Sequence, residues 1–216
     1  MAGVVHRNLP DQLTELLRER ILAGIAAPGD PVRQDAIAAE LGVSKIPLRE
    51  AMARLEQEGL LRSEANRGYF VRELNASEAR EVYALRLKLE PPAAAAAAAR
   101  ANLDDQTAAR AALRALDEAT ESHAANVGVL NRAFHLALVR PARQRVTFEI
   151  VERLHILSER YVRKHLEPEG RDDRASAEHR DLLDAWLARD SAAITALLGA
   201  HIAQTEDDLI RQLANE

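Results

Sequence analysis

The chain has 216 residues, with 29 Lys and Arg, 34 Asp and Glu, and no cysteine. This length favours one large domain or two small ones, and the lack of cysteine excludes disulfides and thiolate metal sites. No run of about 18 apolar residues is present, and residues 1–13 lack the basic segment and apolar core of a secretory signal. We therefore expect a cytoplasmic protein without a membrane partner.

Three helices are predicted at the N-terminal end. Leucine and isoleucine recur at helical spacing over residues 9–21, and Gly24 follows as a helix end. A second helix is predicted over residues 34–41, and Gly42 belongs to a tight break after it. Ser44 is placed to cap the third helix.

The third helix carries the clearest functional pattern. Apolar side chains at positions 48, 52 and 55 form one face that is predicted to be buried. Lys45 and Arg49 are four residues apart, so they share another side of the helix, away from that core. One face packed on a small domain and another that offers cations is typical of a recognition helix in a DNA groove.

A β-hairpin is predicted next, from two short strands over residues 60–63 and 69–72. Arg67 would lie at the tip of its turn, and Gly68 suits a position that needs positive φ. Three helices and a hairpin make a winged helix-turn-helix domain, which we assign to residues 1–74. Because this domain has no overall excess of positive charge, its cations must act locally, and DNA binding should be salt-sensitive.

The rest of the chain, residues 75–216, shows only helical patterns. We expect Ser77 to cap a long helix that reaches residue 101, and Pro91 and Pro92 to kink or restart that helix. Further helices are predicted over residues 104–123, 127–139, 142–165, 176–189 and 191–213, with a charged loop over 167–174. The predicted fold is mainly α, an N-terminal winged helix-turn-helix with a small β-hairpin wing followed by an all-helical bundle.

No phosphate-binding glycine loop, nucleophile elbow or HExxH pattern occurs, so the sequence does not predict an enzyme. Asn131 and His135 are four residues apart on one predicted helix face, and His179 and His201 lie on two other helices. Ligands that point inward from three bundle helices can bind a divalent ion such as zinc, nickel or iron(II). Dispersed histidines are more often hydrogen-bonded core or surface residues, and His155 is assigned to an ordinary helix-end or surface position.

Arg86 lies next to a predicted buried stripe that includes Leu85 and Leu89. An arginine near the interior of a bundle can clamp a carboxylate ligand through two hydrogen bonds. An ion pair with Glu90 or Glu81 is the alternative, and the spacing alone favours the ion pair.

Residues 30–72 resemble the DNA-binding domain of GntR-type bacterial transcription regulators, through the strings LGVSKIPLREA, LEQEGLL and NRGYFV. The helical remainder resembles the FCD effector domain of the FadR subfamily, through VYALRLKLEPPAA, NRAFH, the pair Glu178-His179 and the string AHI at 200–202. The resemblance implies a homodimer that binds inverted repeats in double-stranded operator DNA. It also implies that a small metabolite, usually a carboxylate, changes the affinity for DNA.

For the first domain, the residues that we expect to bind DNA are Ser44, Lys45, Ile46, Arg49, Arg67 and Gly68. Lys45 and Arg49 would enter the major groove, and Ser44 would contact a phosphate. Arg67, at the tip of the wing, would enter the flanking minor groove. The family more often has arginine at position 45 and threonine at position 46, so Ile46 could instead contact a thymine methyl group.

For the helical domain, the resemblance implies a divalent metal held by an Asp or Asn, a histidine four residues later and two further histidines. These positions match Asn131, His135, His179 and His201. Asn in place of the commoner Asp removes one negative charge from the site. We expect the effector carboxylate to complete the metal coordination, with support from Arg86.

The sequence therefore predicts a ligand-responsive transcription regulator that acts as a repressor, and it does not predict an enzyme. Two alternatives stay open. The first is a regulator that senses the metal ion directly, without an organic ligand. The second is a helical-bundle metallohydrolase, which is disfavoured because no general base is apparent beside the histidines.

Overall fold

The structure, a computed structural model, describes residues 8–73, 75–124, 126–166 and 170–214. The chain divides into two units, residues 1–73 and 74–216. Among the helices of the described residues, none combines the length and the hydropathy that a bilayer crossing requires.

The first unit contains three helices, α1 (Leu9–Leu22), α2 (Gln34–Leu41) and α3 (Lys45–Gln57). Gly42 ends α2 at φ +64°, a left-handed conformation that glycine adopts without the steric cost of a Cβ atom. Ser44 occupies the N-cap position of α3, as predicted, but its side chain makes no capping hydrogen bond. The predicted cap by the Ser44 side chain is therefore wrong, although the predicted start of the helix is confirmed.

The core of this unit forms between α1 and α3. Leu48, Met52 and Leu55 are fully buried, so the apolar face predicted for α3 is confirmed. They join Leu13 and Leu17 of α1 in one apolar cluster. Burial of side chains of this size contributes about 1.5–3 kcal/mol each, which fixes the face of α3 that remains exposed.

A three-stranded antiparallel sheet completes the unit, from β1 (Pro31–Val32), β2 (Leu61–Glu64) and β3 (Gly68–Val71) in the order β1-β3-β2. The β2–β3 hairpin is the predicted wing, with each strand one residue closer to the turn than predicted and with Leu61 opposite Val71. β1 was not expected, because two residues are too short to show the alternation of a strand. It forms because β3 has a second edge on which Pro31 pairs opposite Phe70.

The second unit is helical in its described residues. It contains α4 (Ala76–Arg100), α5 (Leu103–Glu121), α6 (Val127–Val139), α7 (Arg145–Leu166), α8 (Arg171–Leu187) and α9 (Ser191–Leu213), with a short 3-10 turn at Arg140–Ala142. The predicted bounds of α6 and α9 are confirmed. The predicted loop over residues 167–174 is wrong from residue 171 onward, where α8 begins, and residues 167–169 lie outside the described residues.

The start and the middle of α4 differ from the prediction. Asn75, not Ser77, caps the helix: its side chain accepts hydrogen bonds from the backbone N–H groups of Ser77 and Glu78, at 2.7 and 3.3 Å. The helix continues through Pro91 and Pro92 without a restart. The alanines at positions 93, 94, 97 and 98 are almost fully buried, so close packing holds this segment helical despite the two lost backbone hydrogen bonds.

Candidate DNA-binding surface and metal centre

The first candidate site is a concave surface of the N-terminal unit. Lys45 and Arg49 reach it from the exposed side of α3, and Arg67 and Gly68 reach it from the turn of the β2–β3 hairpin. The structure therefore brings together four of the six residues expected to bind DNA. Ser44 and Ile46 are exposed at the N-terminal end of α3, outside the lining of this concavity.

The cations of this surface have weak local partners. Lys45 Nζ lies 2.5 Å from the Asp35 carboxylate, and Arg49 Nε donates a hydrogen bond of 3.2 Å to Gln34. Arg67 pairs with Glu64. Exposed pairs of this kind contribute about 0–1 kcal/mol, so DNA phosphates or base edges can replace the carboxylates at little cost.

Arg33 is a basic residue of this surface that the sequence analysis missed. It precedes α2, is exposed and lines the same concavity. Its position depends on β1, because Pro31 and Val32 pair with β3 and so carry the following residue to the side of the wing. No local pattern indicates a strand of two residues, so the sequence contained no signal for this placement.

The second candidate site lies inside the helical unit, where three histidines converge. His135 of α6, His179 of α8 and His201 of α9 are buried, and one ligand atom from each lies within 4.8 Å of the others. The Nε2 atoms of His179 and His201 are 3.3 Å apart. Two nitrogens at about 2.0–2.1 Å from a tetrahedral zinc ion would have nearly this separation.

His135 provides the observation that tests whether the residues fit a metal. Both of its ring nitrogens are buried and have no hydrogen-bond partner among the residues that the structure describes, which is costly unless another group binds them. Burial, followed by the neighbouring His155, His179 and His201, holds the pKa of His135 well below its ordinary value. The ring is therefore neutral, which is the form that coordinates a metal, so the donor set fits a borderline divalent ion.

A cavity of about 30 Å³ adjoins the histidines. Its lining includes Asn131, His179, His201, Tyr83, Arg86 and Thr205. Asn131 therefore lines the same cavity as two of the three histidines, and its role as a metal ligand stays a prediction. A cavity of this volume has room for about two water molecules, since each needs about 10–15 Å³. A ligand that enters without rearrangement must be small.

Arg86 belongs to the buried stripe of α4 itself, whereas Leu85, which was predicted to form that stripe, is 40% exposed. Arg86 donates hydrogen bonds to both carboxylate oxygens of Glu90, at 2.6 and 3.3 Å, and a third to the Ser158 hydroxyl at 3.3 Å. The ion pair with Glu90, which the spacing favoured, is therefore present. The role of Arg86 in effector binding stays a prediction.

His155 was assigned to a helix end or the surface, and this prediction is wrong. It lies in the middle of α7, is 1% exposed, and places Nε2 at 3.1 Å from Glu90 Oε2. The missed signal is the spacing of α7, because Val151, Leu154, His155 and Ser158 recur at i, i+3, i+4 and i+7 and are all buried.

Glu90 connects Arg86 and His155 to the three-histidine group, since its Oε2 atom lies 3.9 Å from His135 Nδ1. Burial opposes its ionisation, but the charge of Arg86 and the contact with His155 outweigh burial and hold the pKa of Glu90 at about 2. The atoms of Glu90, His135 and His155 are close enough to form a second ligand group. Arg86 already neutralises this carboxylate, and a buried guanidinium would repel a divalent ion, so the three-histidine group is the better candidate for a metal site.

Replacement of Glu90 by glutamine should destabilise the protein by about 3–5 kcal/mol, because Arg86 would become an uncompensated buried charge. Urea unfolding followed by circular dichroism measures this change. The matched control is Glu149→Gln, since Arg145 and Glu149 form an exposed pair with the same i, i+4 spacing and should lose at most about 0.5 kcal/mol. Equal losses in both variants would show that Arg86 does not depend on Glu90.

Comparisons with known proteins agree with this architecture. Residues 9–71 match the family of bacterial regulatory proteins called the gntR family, and residues 81–204 match the FCD domain. The Nta operon transcriptional regulator of Aminobacter aminovorans is 33% identical over 184 residues, which cover 85% of this chain and 86% of that protein. The HTH-type transcriptional repressor RspR of Escherichia coli is 24% identical over 215 residues, which cover 95% of this chain and 90% of RspR.

Solved structures show the same fold. The E. coli protein McbR/YncC superposes with a TM-score of 0.81 at 23% identity, over 99% of this chain and 100% of that one. A putative GntR regulator from Rhodococcus sp. RHA1 also gives 0.81, at 24% identity, over 94% and 97% of the two chains. The relatives are regulators and not enzymes, which removes the metallohydrolase alternative. The chain belongs to the GntR family of bacterial transcriptional regulators and carries an FCD domain C-terminal to its winged helix-turn-helix domain.

Proposed function

We propose that this regulator is a cytoplasmic repressor that binds an inverted-repeat operator as a homodimer. In this proposal a small carboxylate raises or lowers its affinity for DNA. Support for DNA contact comes from the concave surface that Lys45, Arg49 and Arg67 share. RspR, a relative over most of the chain, is described as a repressor. Ser44 and Ile46, exposed at the start of α3, supply phosphate and thymine-methyl contacts in this proposal.

The observation that carries the regulatory part is the convergence of three buried histidines beside a small cavity. Asn131, His135, His179 and His201 would hold the ion, which would offer a Lewis-acidic position for a carboxylate oxygen. Imidazole and amide groups carry no charge when they coordinate a metal, so these four ligands would leave the charge of a bound dication uncompensated. This charge favours an anionic effector over a neutral one of the same size.

Arg86 would receive the carboxylate on the other side of the cavity. Its three hydrogen bonds to Glu90 and Ser158 use three of its five N–H groups, so donors remain for a ligand. The cavity volume of about 30 Å³ limits the part of the effector held between Arg86 and the histidines to a carboxylate and little more. We therefore propose a short-chain carboxylate as the effector class.

Operator binding tests the whole proposal. Double-stranded DNA enriched from a random pool on the purified protein should contain inverted repeats, since a two-fold dimer reads two half-sites. The Kd of the complex between the protein and this DNA, measured by fluorescence anisotropy at fixed salt, should change when short carboxylates are added to Ni²⁺- or Zn²⁺-loaded protein. It should stay constant when they are added to chelator-treated protein.

Each other outcome contradicts a separate part of the proposal. A change of Kd with the metal alone, and no further change with any carboxylate, would establish the direct metal sensor instead. An equal effect of carboxylates with and without chelator would remove the metal from the mechanism. Failure to enrich any sequence would contradict specific DNA binding by this chain.

A further inference from the structure

The two ring nitrogens of His201 face different partners. Nε2 lies 3.3 Å from Nε2 of His179, inside the histidine group. Nδ1 lies 2.7 Å from Oε2 of Glu178, the residue that precedes His179 on α8. An ionised carboxylate can only accept a hydrogen bond, so the hydrogen of the neutral imidazole belongs on Nδ1 and the lone pair on Nε2. This is the tautomer that a metal between His179 and His201 requires.

Glu178 is itself held in place by charged neighbours. Arg174 lies one turn earlier on α8, and its Nε atom is 3.4 Å from Glu178 Oε1. Its Nη2 atom is 2.5 Å from Asp208 Oδ2. Asp208 is almost buried on α9 and also accepts a hydrogen bond from Gln204 at 3.2 Å. A chain of polar contacts thus runs from Asp208 through Arg174 and Glu178 to His201, and it positions the carboxylate without help from an ion.

We propose that Glu178 is a positioning residue of the metal centre, which fixes the tautomer of His201 and directs its Nε2 atom toward the ion. The inference rests on the metal binding proposed above. Within the described part of the chain, His135 has no comparable support, because its Nδ1 lies 3.9 Å from the nearest Glu90 oxygen. Carboxylates in this position orient histidine ligands and raise their basicity.

Glu178→Gln and Asp181→Asn form a matched pair of variants that test this role. Both replacements remove one negative charge from α8, and both side chains line the same surface depression beside His201. They differ in that Glu178 hydrogen-bonds to the imidazole of His201. We expect Glu178→Gln to weaken Co²⁺ binding by about 10- to 100-fold and Asp181→Asn to leave it unchanged, as measured by calorimetry and by the visible absorption of bound Co²⁺.

A second measurement needs no metal. Long-range ¹H–¹⁵N spectra of the chelator-treated protein report which nitrogen of His201 carries the hydrogen. The wild type and Asp181→Asn should show the Nδ1–H tautomer, and Glu178→Gln should shift toward a mixture, since an amide can donate as well as accept.

The results separate this inference from the function on which it rests. If the wild type takes up Co²⁺ and both variants bind it equally well, the metal centre stands and Glu178 has no positioning role. An Nε2–H tautomer of His201 in the wild type would also overturn the inference. If the wild type takes up no Co²⁺ at all, the metal centre and the role of Glu178 are both wrong.

Discussion

Arg49→Ala is expected to weaken operator binding by about 5- to 150-fold, the range that corresponds to the 1–3 kcal/mol of a bidentate arginine–base contact. Arg49 lies on the exposed side of α3, within the concave surface of the first unit. Its side chain is exposed and donates one hydrogen bond to Gln34, which is also on the surface, so the substitution should not unfold the domain. Fluorescence anisotropy with the enriched operator, at one fixed salt concentration, measures the loss.

Arg54→Ala is the matched control for this experiment, because Arg54 lies on the same helix but pairs with Asp11 of α1. It should keep the operator affinity of the wild type, and the thermal unfolding of both variants should show that the domain remains folded. Operator binding by Arg49→Ala at wild-type strength would show that this side of α3 does not read DNA.

His179→Ala and His201→Ala should each abolish stoichiometric binding of Ni²⁺ or Zn²⁺. The three histidines come from three different helices, and each loss leaves two imidazoles that no longer enclose the ion. In the wild type, metal at about 100 times Kd should stabilise the fold by about 2.7 kcal/mol. Chelator treatment should therefore lower the Tm of the wild type and leave the Tm of both variants unchanged.

His123→Ala controls for the loss of a histidine as such, since His123 is exposed near the end of α5 and lies outside the histidine group. It should bind metal as the wild type does, by calorimetry and by metal analysis of the dialysed protein. If His179→Ala and His201→Ala retained full stoichiometric binding, the ion would bind elsewhere, and the cavity would have no metal to present to a carboxylate.

Long helices with a periodic pattern of apolar residues were predictable from the local sequence. The helices α6 and α9 begin and end where periodicity and flanking residues place them, because apolar residues at helical spacing bury one face whatever the partner is. The cap of α4 was missed since Asn75 and Ser77 are both good N-cap residues, and only the backbone geometry decides between them. The continuity of α4 through Pro91 and Pro92 depends on packing against other helices, which no local rule contains.

Some residues of the candidate sites were likewise predictable from local spacing, and others depend on contacts between distant segments. The pair Lys45 and Arg49 was visible because helical spacing alone places two residues on one side. Asn131 and His135 were visible for the same reason. The placement of Arg33 depends on a strand of two residues, and the role of Glu178 depends on a contact between α8 and α9. Contacts between distant segments leave no periodic trace in either segment.

The sequence by itself determined the order of the helices and of the β2–β3 hairpin, the exposed cations of α3 and the residue types able to bind a divalent ion. These follow from short-range periodicity and from side-chain chemistry. Only the tertiary structure decided that His135, His179 and His201 meet, that the pair of Arg86 and Glu90 is buried, and that His155 is buried beside this pair. The physical reason is that burial and charge pairing depend on which helices pack together, and that packing is a property of the whole unit.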